Sequence, residues 1–461
     1  MTHVQLLPCF DYASVDESRK DIKQYNWGYD PKNYNVPEGS YSTNAYDGAV
    51  RIKEMKKLIQ TFHANGIRVN MDVVYNHTYD AEESWFQKTV PDYYYRKKGS
   101  KYSNGSGCGN ETASDRAMMR KFMIDSVTYW AREYHIDGFR FDLMAVHDIK
   151  TMKEIRKALN KIDASIMVYG EGWTGGECAL SSQKQALKTN INKMNRIGAF
   201  NDDIRDAIKG SVFNSLDKGF ISGKTDMEES IKFGVVGAVS HAQVSRKGWA
   251  SKASQSINYI SCHDNLTFWD KLCVSNANDS LEDRIRMTKL GAAIIFMSQG
   301  IPFLQAGEEL LRSKPDSNKT GAFVENSYAS SDFTNSIKWN KKSKAKEVYE
   351  YYKGLISFRK LHKELRMSKT ADIQNNIVFL QGLQKNVVAF IISEKIMVIF
   401  NANRHDISIQ LPKGEWMVYI NADKAGVKEI DKIKGEIKVS KISAMVLENK
   451  IGNKNYKNNK K

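Results

Sequence analysis

The sequence is poor in cysteine, and the five it has do not group. Cys9, Cys108, Cys178, Cys262 and Cys273 are odd in number and widely spaced, with no C-x-x-C among them. This argues against a disulfide framework and a zinc site, and for buried free thiols in a reducing compartment. Long apolar runs are missing as well. Nothing approaches the roughly 18 uninterrupted apolar residues of a membrane-spanning helix, so no membrane partner is expected. The opening MTHVQLLPCFDYASVDE (Met1–Glu17) has neither the positive start nor the apolar core of a secretory signal. As it stands the chain reads as cytoplasmic; a further N-terminal region carrying a signal would make it extracellular. No G-x-G-x-x-G or Walker A pattern follows any strand-like run, which excludes the common phosphate-binding open sheets.

Negative charge is in deficit too, with 53 Asp and Glu against 69 Lys and Arg, a net charge of +16. Alone, that would suggest a polyanion partner. The lysines, however, are scattered among asparagines and form no stripe with interleaved aromatics. The one concentration, ENKIGNKNYKNNKK (Glu448–Lys461), holds nothing that could pack a core and reads as a solvated tail. No nucleic-acid partner is expected. What the chain does have is length and an ordinary globular composition: 461 residues, 41% hydrophobic. That is enough for about two to four domains without disulfide staples.

Short apolar runs alternate with helix-like segments. Thr2–Leu7, Ile67–Tyr75, Ile136–Asp142, Ser165–Glu171, a weak run at Gly198–Asn201, Ile257–Cys262 and Ile301–Gln305 read as strands. Tyr46–Ala64, Arg116–His135, Lys150–Ile162 and Arg284–Met297 carry apolar residues at helical spacing. The alternation predicts βαβ units, a parallel sheet and a barrel-type α/β domain over residues 1–366. Beyond it, short strand-like runs at Val378–Leu380, Val387–Ser393, Ile396–Asn401, Ile407–Leu411, Glu415–Asn421 and Ala444–Glu448 predict a C-terminal antiparallel β-sandwich over 367–447. Residues 448–461 form the Lys/Asn-rich tail.

Polar residues gather just past the ends of the parallel strands, where a (β/α) barrel builds its site. Asp142 closes IDGFRFD, and Arg140 stands two positions before it, on the same side of the strand. A guanidinium there can hold the carboxylate ionised and oriented. Glu171 ends the next strand between Gly170 and Gly172, with Trp173 following. Asp264 lies further on, between His263 and Asn265. Asp72, inside MDVVYNH, reads as a group that hydrogen-bonds within the barrel, and His77 alone reads as a satisfied loop histidine. Any one such carboxylate is more often structural; four strand ends carrying polar groups in an ordered series are not. Three carboxylates at one mouth supply what glycosidic cleavage needs: an ionised nucleophile, a protonated acid, and a third negative charge that raises the acid's pKa.

DVVYNH (Asp72–His77), DGFRFDLMA (Asp137–Ala145), YGEGW (Tyr169–Trp173) and SCHDN (Ser261–Asn265) resemble, in order and strand context, the four signature regions of the alpha-amylase superfamily of glycoside hydrolases. YNWGYDP (Tyr25–Pro31) resembles the signature of the type I pullulanases, and NGSGCGNETAS (Asn104–Ser114) and NSYASSDFTNSIKW (Asn326–Trp339) are similar to that family too. The resemblance runs from Thr2 to about Glu448. It implies a (β/α)8 TIM barrel with a C-terminal β-sandwich, and a retaining hydrolase that cleaves α-1,6 links in pullulan, branched dextrins, starch or glycogen. It also implies the roles. Asp142 matches the nucleophile, Glu171 the general acid/base, and Asp264 the carboxylate that stabilises the transition state. Arg140 matches the residue that orients the nucleophile. His77 and His263 match the histidines on the sugar ring, and Tyr29, with Asp30 beside it, the platform stacked on that ring. Trp27 and Trp173 are expected to line the groove for the branched chain. The alternatives are another α-glucan-acting enzyme of the superfamily, or an inactive fragment that only binds glucan.

In the family, the strand resembling THVQLLP is the second of the barrel. The first barrel strand and the N-terminal β-domains are therefore expected to be missing. No cofactor is required. Asn76 and nearby acids are the one place that could contribute to a calcium site, but the EF-hand-like ligand run that would indicate one is absent.

Overall fold

The structure, a computed structural model, describes residues 1–19 and 21–449; of the expected tail 448–461, Glu448 and Asn449 belong to the last strand and the rest lies outside the described residues. The chain divides into two compact units, Met1–Phe200 with Tyr328–Asp332, and Asn201–Ser327 with the remainder. All seven expected strands are present, most of them shorter than their apolar runs: β1 (His3–Leu6), β2 (Arg68–Val73), β3 (Gly138–Phe141), β4 (Met167–Gly170), β5 (Gly198–Asn201), β6 (Ser256–Asn258) and β7 (Ile301–Pro302). At β2, β3 and β4 the last residues of the run turn out of the ladder, and those residues and the ones that follow include His77, Asp142 and Glu171.

In the first unit β1 to β5 pair in sequence order, all parallel. Helices α1 (Gly48–Ala64), α2 (Ala117–Glu133) and α3 (Ile149–Asn160) form the crossovers. Asp47 and Asp148 cap α1 and α3, accepting from the amides of Ala49 and Thr151. Strand β2 explains how a polar site is built inside an apolar sheet. Its residues alternate, with Val69, Met71 and Val73 on one face and Asn70 and Asp72 on the other. Arg140 pairs with Asp72 across β2–β3, and Tyr169 pairs with Arg140 across β3–β4. On this polar face Asn70 donates to the Tyr169 hydroxyl at 3.1 Å, which donates to Gln5 at 2.7 Å. Gly138 faces Asn70 because nothing larger fits; a Cβ there would lie 2.3 Å from Asn70 Oδ1.

In the second unit β6 and β7 pair in parallel. Helices α4 (Asp202–Lys209), α5 (Leu281–Met297) and α6 (Lys346–Leu361) accompany them. Helix α5 starts three residues before its apolar periodicity because Ser280 caps it, accepting from the Asp283 amide at 3.0 Å. The C-terminal strands are β8 (Ile377–Phe379), β9 (Val387–Ile392), β10 (Ile396–Asn401), β11 (Ile407–Gln410), β12 (Trp416–Ile420), β13 (Asp431–Ile433), β14 (Glu436–Val439) and β15 (Ser443–Asn449). Six form one antiparallel sheet in the order β8-β9-β10-β15-β12-β13; β11 and β14 form a second. Strand β9 serves two cores by strict alternation. Val387 and Ala389 pack with Ile407, Ile409, Ile437 and Val439 of the second sheet, while Val388, Phe390 and Ile392 join the core of α5 and α6. Burial on both faces makes β9 and β10 continuous apolar runs. Strands β13 and β14 escape sequence reading because DKIKGEIKV offers few inward side chains among lysines and glutamates.

Candidate active site

In the first unit the site is built around one guanidinium. Arg140 is 2% exposed. Its Nη1 donates to Asp72 Oδ1 at 2.9 Å and to Asp142 Oδ1 at 2.8 Å, and its Nη2 lies 2.7 Å from Glu171 Oε1. Burial works against the cation, but the carboxylates around it outweigh burial and hold it well above the usual range. Asp142 sits one residue past β3. Its second oxygen accepts from Asn76 Nδ2 at 2.7 Å, and the same amide donates to the Asp142 carbonyl at 2.9 Å. Glu171, one residue past β4, accepts from the Leu143 amide at 2.9 Å. Leu143 reaches it from the left-handed region, at φ 39°, a conformation that costs an ordinary side chain about 1–2 kcal/mol.

Burial pushes Asp72 up to about 7, against the pull of Arg140. Tyr29 donates its hydroxyl to Asp72 at 2.7 Å, and its ring centroid lies 5.7 Å from the Arg140 guanidinium. His77 is buried with Nδ1 2.5 Å from Asn76 Oδ1. Burial lowers its pKa against the field of Asp142, leaving a neutral imidazole at neutral pH. Trp27, expected to line a groove, is only 5% exposed and meets Tyr29 edge to face at 6.4 Å. It backs the tyrosine and presents no open face. Trp173 and Asp30 are half-buried. Burial raises the Asp30 carboxyl, and hydrogen bonds from Ser14 oppose the rise. The first unit thus brings together Tyr29, His77, Arg140, Asp142 and Glu171, with Asp72 and Asn76 added.

In the second unit His263 and Asp264 follow β6 on irregular backbone. His263 Nε2 lies 3.5 Å from Asp264 Oδ2, and the Asp264 side chain is 47% exposed. Their loop is fixed from below by Lys314, 1% exposed. Its ammonium donates to the carbonyls of His263 at 3.1 Å, Glu325 at 2.7 Å and Asn265. Asn265 is left-handed at φ 59°. Burial brings Lys314 down to about 8 while Asp264 opposes that fall. Under the same loop Glu308 accepts from Ser261 at 2.9 Å and Tyr352 at 3.0 Å, and burial pushes it up to about 7.

Sequence reading left Asn76 without a role at Asp142 and missed Lys314. The first had a signal, an amide at a strand end beside His77. The second had none, since RSKPDSNK reads as a solvated basic loop. Asn76 gives its amide nitrogen to Asp142, while its Oδ1 lies 2.5 Å from His77 Nδ1. The cysteine expectation needs correction. Cys9 is buried, but Cys108 is exposed and Cys178, Cys262 and Cys273 are half-buried, because most of them sit in loops and do not fill a core. Among the described residues two groups could hold a cation, Asp11–Glu17–Glu38 and Cys262–His263–Asp264. In the first, Arg51 engages Glu17 and the Ser40 and Tyr12 amides engage Glu38.

Comparison with known proteins fits this geometry. The family model "Alpha amylase, catalytic domain" matches residues 1–115, and "Pullulanase, all-beta domain" matches residues 373–424. The fold and the strand-end carboxylates define an α-amylase-type barrel protein with a C-terminal β-domain. The chain is 38% identical over 463 aligned residues to the pullulanase of Bacillus subtilis (strain 168), covering 97% of this chain and 62% of that protein. It superposes on the crystal structure of Paenibacillus barengoltzii pullulanase in complex with maltohexaose and alpha-cyclodextrin with a TM-score of 0.89 at 43% identity, covering 97% of this chain and 69% of that one. With pullulanase from Bacillus acidopullulyticus the TM-score is 0.90 at 42% identity, over 97% and 54%. The chain belongs to the pullulanase family. It spans roughly half to two thirds of the length of these relatives. No helix among the described residues is long and apolar enough to cross a membrane.

Proposed function

We propose that this chain carries the active site of a retaining debranching hydrolase acting on α-1,6-glucosidic links in pullulan, branched dextrins, starch or glycogen. One observation carries the reading: a single buried guanidinium binds Asp142 and Glu171 at the ends of adjacent parallel strands. Two carboxylates gripped by one fork are held close, which supports direct displacement at about 5–5.5 Å over the wider spacing that admits a water. Asp142, oriented by Arg140 and Asn76, is the nucleophile. As the leaving oxygen departs, Glu171 donates a proton to it; water, deprotonated by the same residue, then releases the glycosyl intermediate. With Arg140 on Oε1 and the Leu143 amide on Oε2, Glu171 is held as the conjugate base, the form the second step uses. To act as acid it exchanges Arg140 for a proton. Tyr29 offers its face to the sugar, kept in place by Asp72 and Trp27. His77, as a neutral imidazole, and His263 hydrogen-bond sugar hydroxyls, and Asp264 stabilises the transition state. Asp30 and Trp173 flank the platform. We take residues 1–366 as the catalytic part and 367–447 as the β-sandwich that accompanies it.

Incubation with pullulan should release maltotriose. Maltose from linear amylose, with nothing from pullulan, would overturn the debranching assignment in favour of an amylase.

A further inference from the structure

We propose that Cys262, His263 and Asp264 form an inhibitory site for a thiophilic divalent cation of the Zn2+ or Cd2+ kind. Only the inhibitory consequence rests on the role given above to Asp264; the binding itself does not. Three successive residues on a regular strand cannot share a ligand, because neighbours point to opposite faces. Here β6 ends at Asn258 and the backbone is irregular through the motif, so successive side chains can converge. The Cys262 thiol, a His263 ring nitrogen and an Asp264 oxygen all lie within 4.8 Å of one another. His263 Nε2 and Asp264 Oδ2 are already 3.5 Å apart. That is close to the edge of a tetrahedron with metal–ligand bonds of about 2.0–2.3 Å, the bonds zinc makes to nitrogen, oxygen and sulfur.

The loop is prepared for this. Lys314 fixes the carbonyls on both sides of Asp264, and Asn265 holds the left-handed turn that follows, so little backbone freedom is lost on binding. Binding replaces the thiol proton with the metal and releases that proton to the buffer. The donor set of one soft sulfur, one imidazole and one carboxylate suits zinc or cadmium and not calcium or magnesium, which prefer oxygen throughout. Solvent fills the fourth position. A cation seated there engages the Asp264 carboxylate, which is then withdrawn from substrate.

The probe is Cd2+ itself. Titrated into the full chain, it should give a thiolate-to-cadmium charge-transfer band in the ultraviolet that saturates at one equivalent. Cys262→Ser should abolish that band and Cys108→Ser should leave it. His263→Asn should weaken the affinity at least tenfold. In a pullulan assay Cd2+ should inhibit, excess malto-oligosaccharide should protect, and Cys262→Ser should keep its uninhibited rate while losing the sensitivity. A full band in Cys262→Ser, or no band in the parent chain, overturns the site. A chain that binds Cd2+ at Cys262 but never cleaves pullulan would refute the proposed function and leave the metal site standing.

Discussion

The strand-end carboxylates of the first unit and Asp264 of the second are secured in opposite ways. In the first unit the charges are held through their side chains: Asp142 and Glu171 are bound directly by Arg140, with Asn76 and the Leu143 amide on their remaining oxygens. In the second unit the backbone is held and the carboxylate is left to the solvent. Lys314 binds the carbonyls on either side of Asp264, whose own side chain is nearly half exposed. A nucleophile must keep one direction and one charge, which charge-assisted bonds to a rigid fork provide. A carboxylate that meets substrate hydroxyls has to stay free of protein donors, so its position is set one step back, at the peptide.

The largest effect should come from Asp142→Asn. The amide keeps the size and can still accept from Arg140, so the melting temperature should move little. Turnover on pullulan should fall by roughly 10⁴-fold or more, as for other catalytic nucleophiles. Next is Arg140→Lys, which tests whether the fork matters or only the charge. An ammonium cannot reach Asp72, Asp142 and Glu171 together, so turnover should fall by about 10²–10³-fold. Denaturant unfolding should show a loss of about 3–5 kcal/mol, the usual result of stranding a buried carboxylate. Full activity in the lysine variant would remove the contrast between the two units.

Lys314 tests the other half. Lys314→Met leaves carbonyls that the ammonium served without a donor, and each unpaired buried group costs about 1–3 kcal/mol. The Asp264 loop should loosen, with a loss in kcat/KM of roughly tenfold that Lys314→Arg partly restores. Equal loss of stability with unchanged kinetics would make Lys314 a structural residue with no hold on the site.

How much of this was legible follows from the same contrast. Asp142, Glu171 and Arg140 stand at strand ends that periodicity alone can locate, and the i, i+2 rule places Arg140 beside Asp142. The β-domain was legible where strands are buried on both faces, as in β9 and β10. It was illegible at β13 and β14, where lysines and glutamates hide one inward residue in two. Glu171 on Arg140 was beyond the sequence because it depends on the register of β4 against β3. Lys314 was beyond it because a lysine under a loop and a lysine in water read alike; only burial separates them. Trp27 failed for a related reason, since an aromatic beside a site and one behind it share the same motif.

The gentlest test concerns Asp72, which shares Arg140 with Asp142 while being fully buried. Its pKa is about 7 in the folded chain against 3.8 for a free carboxyl. The folded chain therefore keeps a proton on Asp72 at pH values where the unfolded chain has lost it. The stability this contributes is complete below about pH 4, declines as pH rises toward 7, and is gone above that. Asn imitates the protonated acid and does not titrate. Asp72→Asn should thus flatten the fall in unfolding free energy between about pH 4 and 7, by about 4 kcal/mol at most. It should be close to silent on turnover at pH 5 to 6, where Asp72 is already neutral. Chemical denaturation across that range reads the slope directly. An unchanged slope in the variant would mean that Arg140 keeps Asp72 ionised, and that all three carboxylates of the first unit are held as anions.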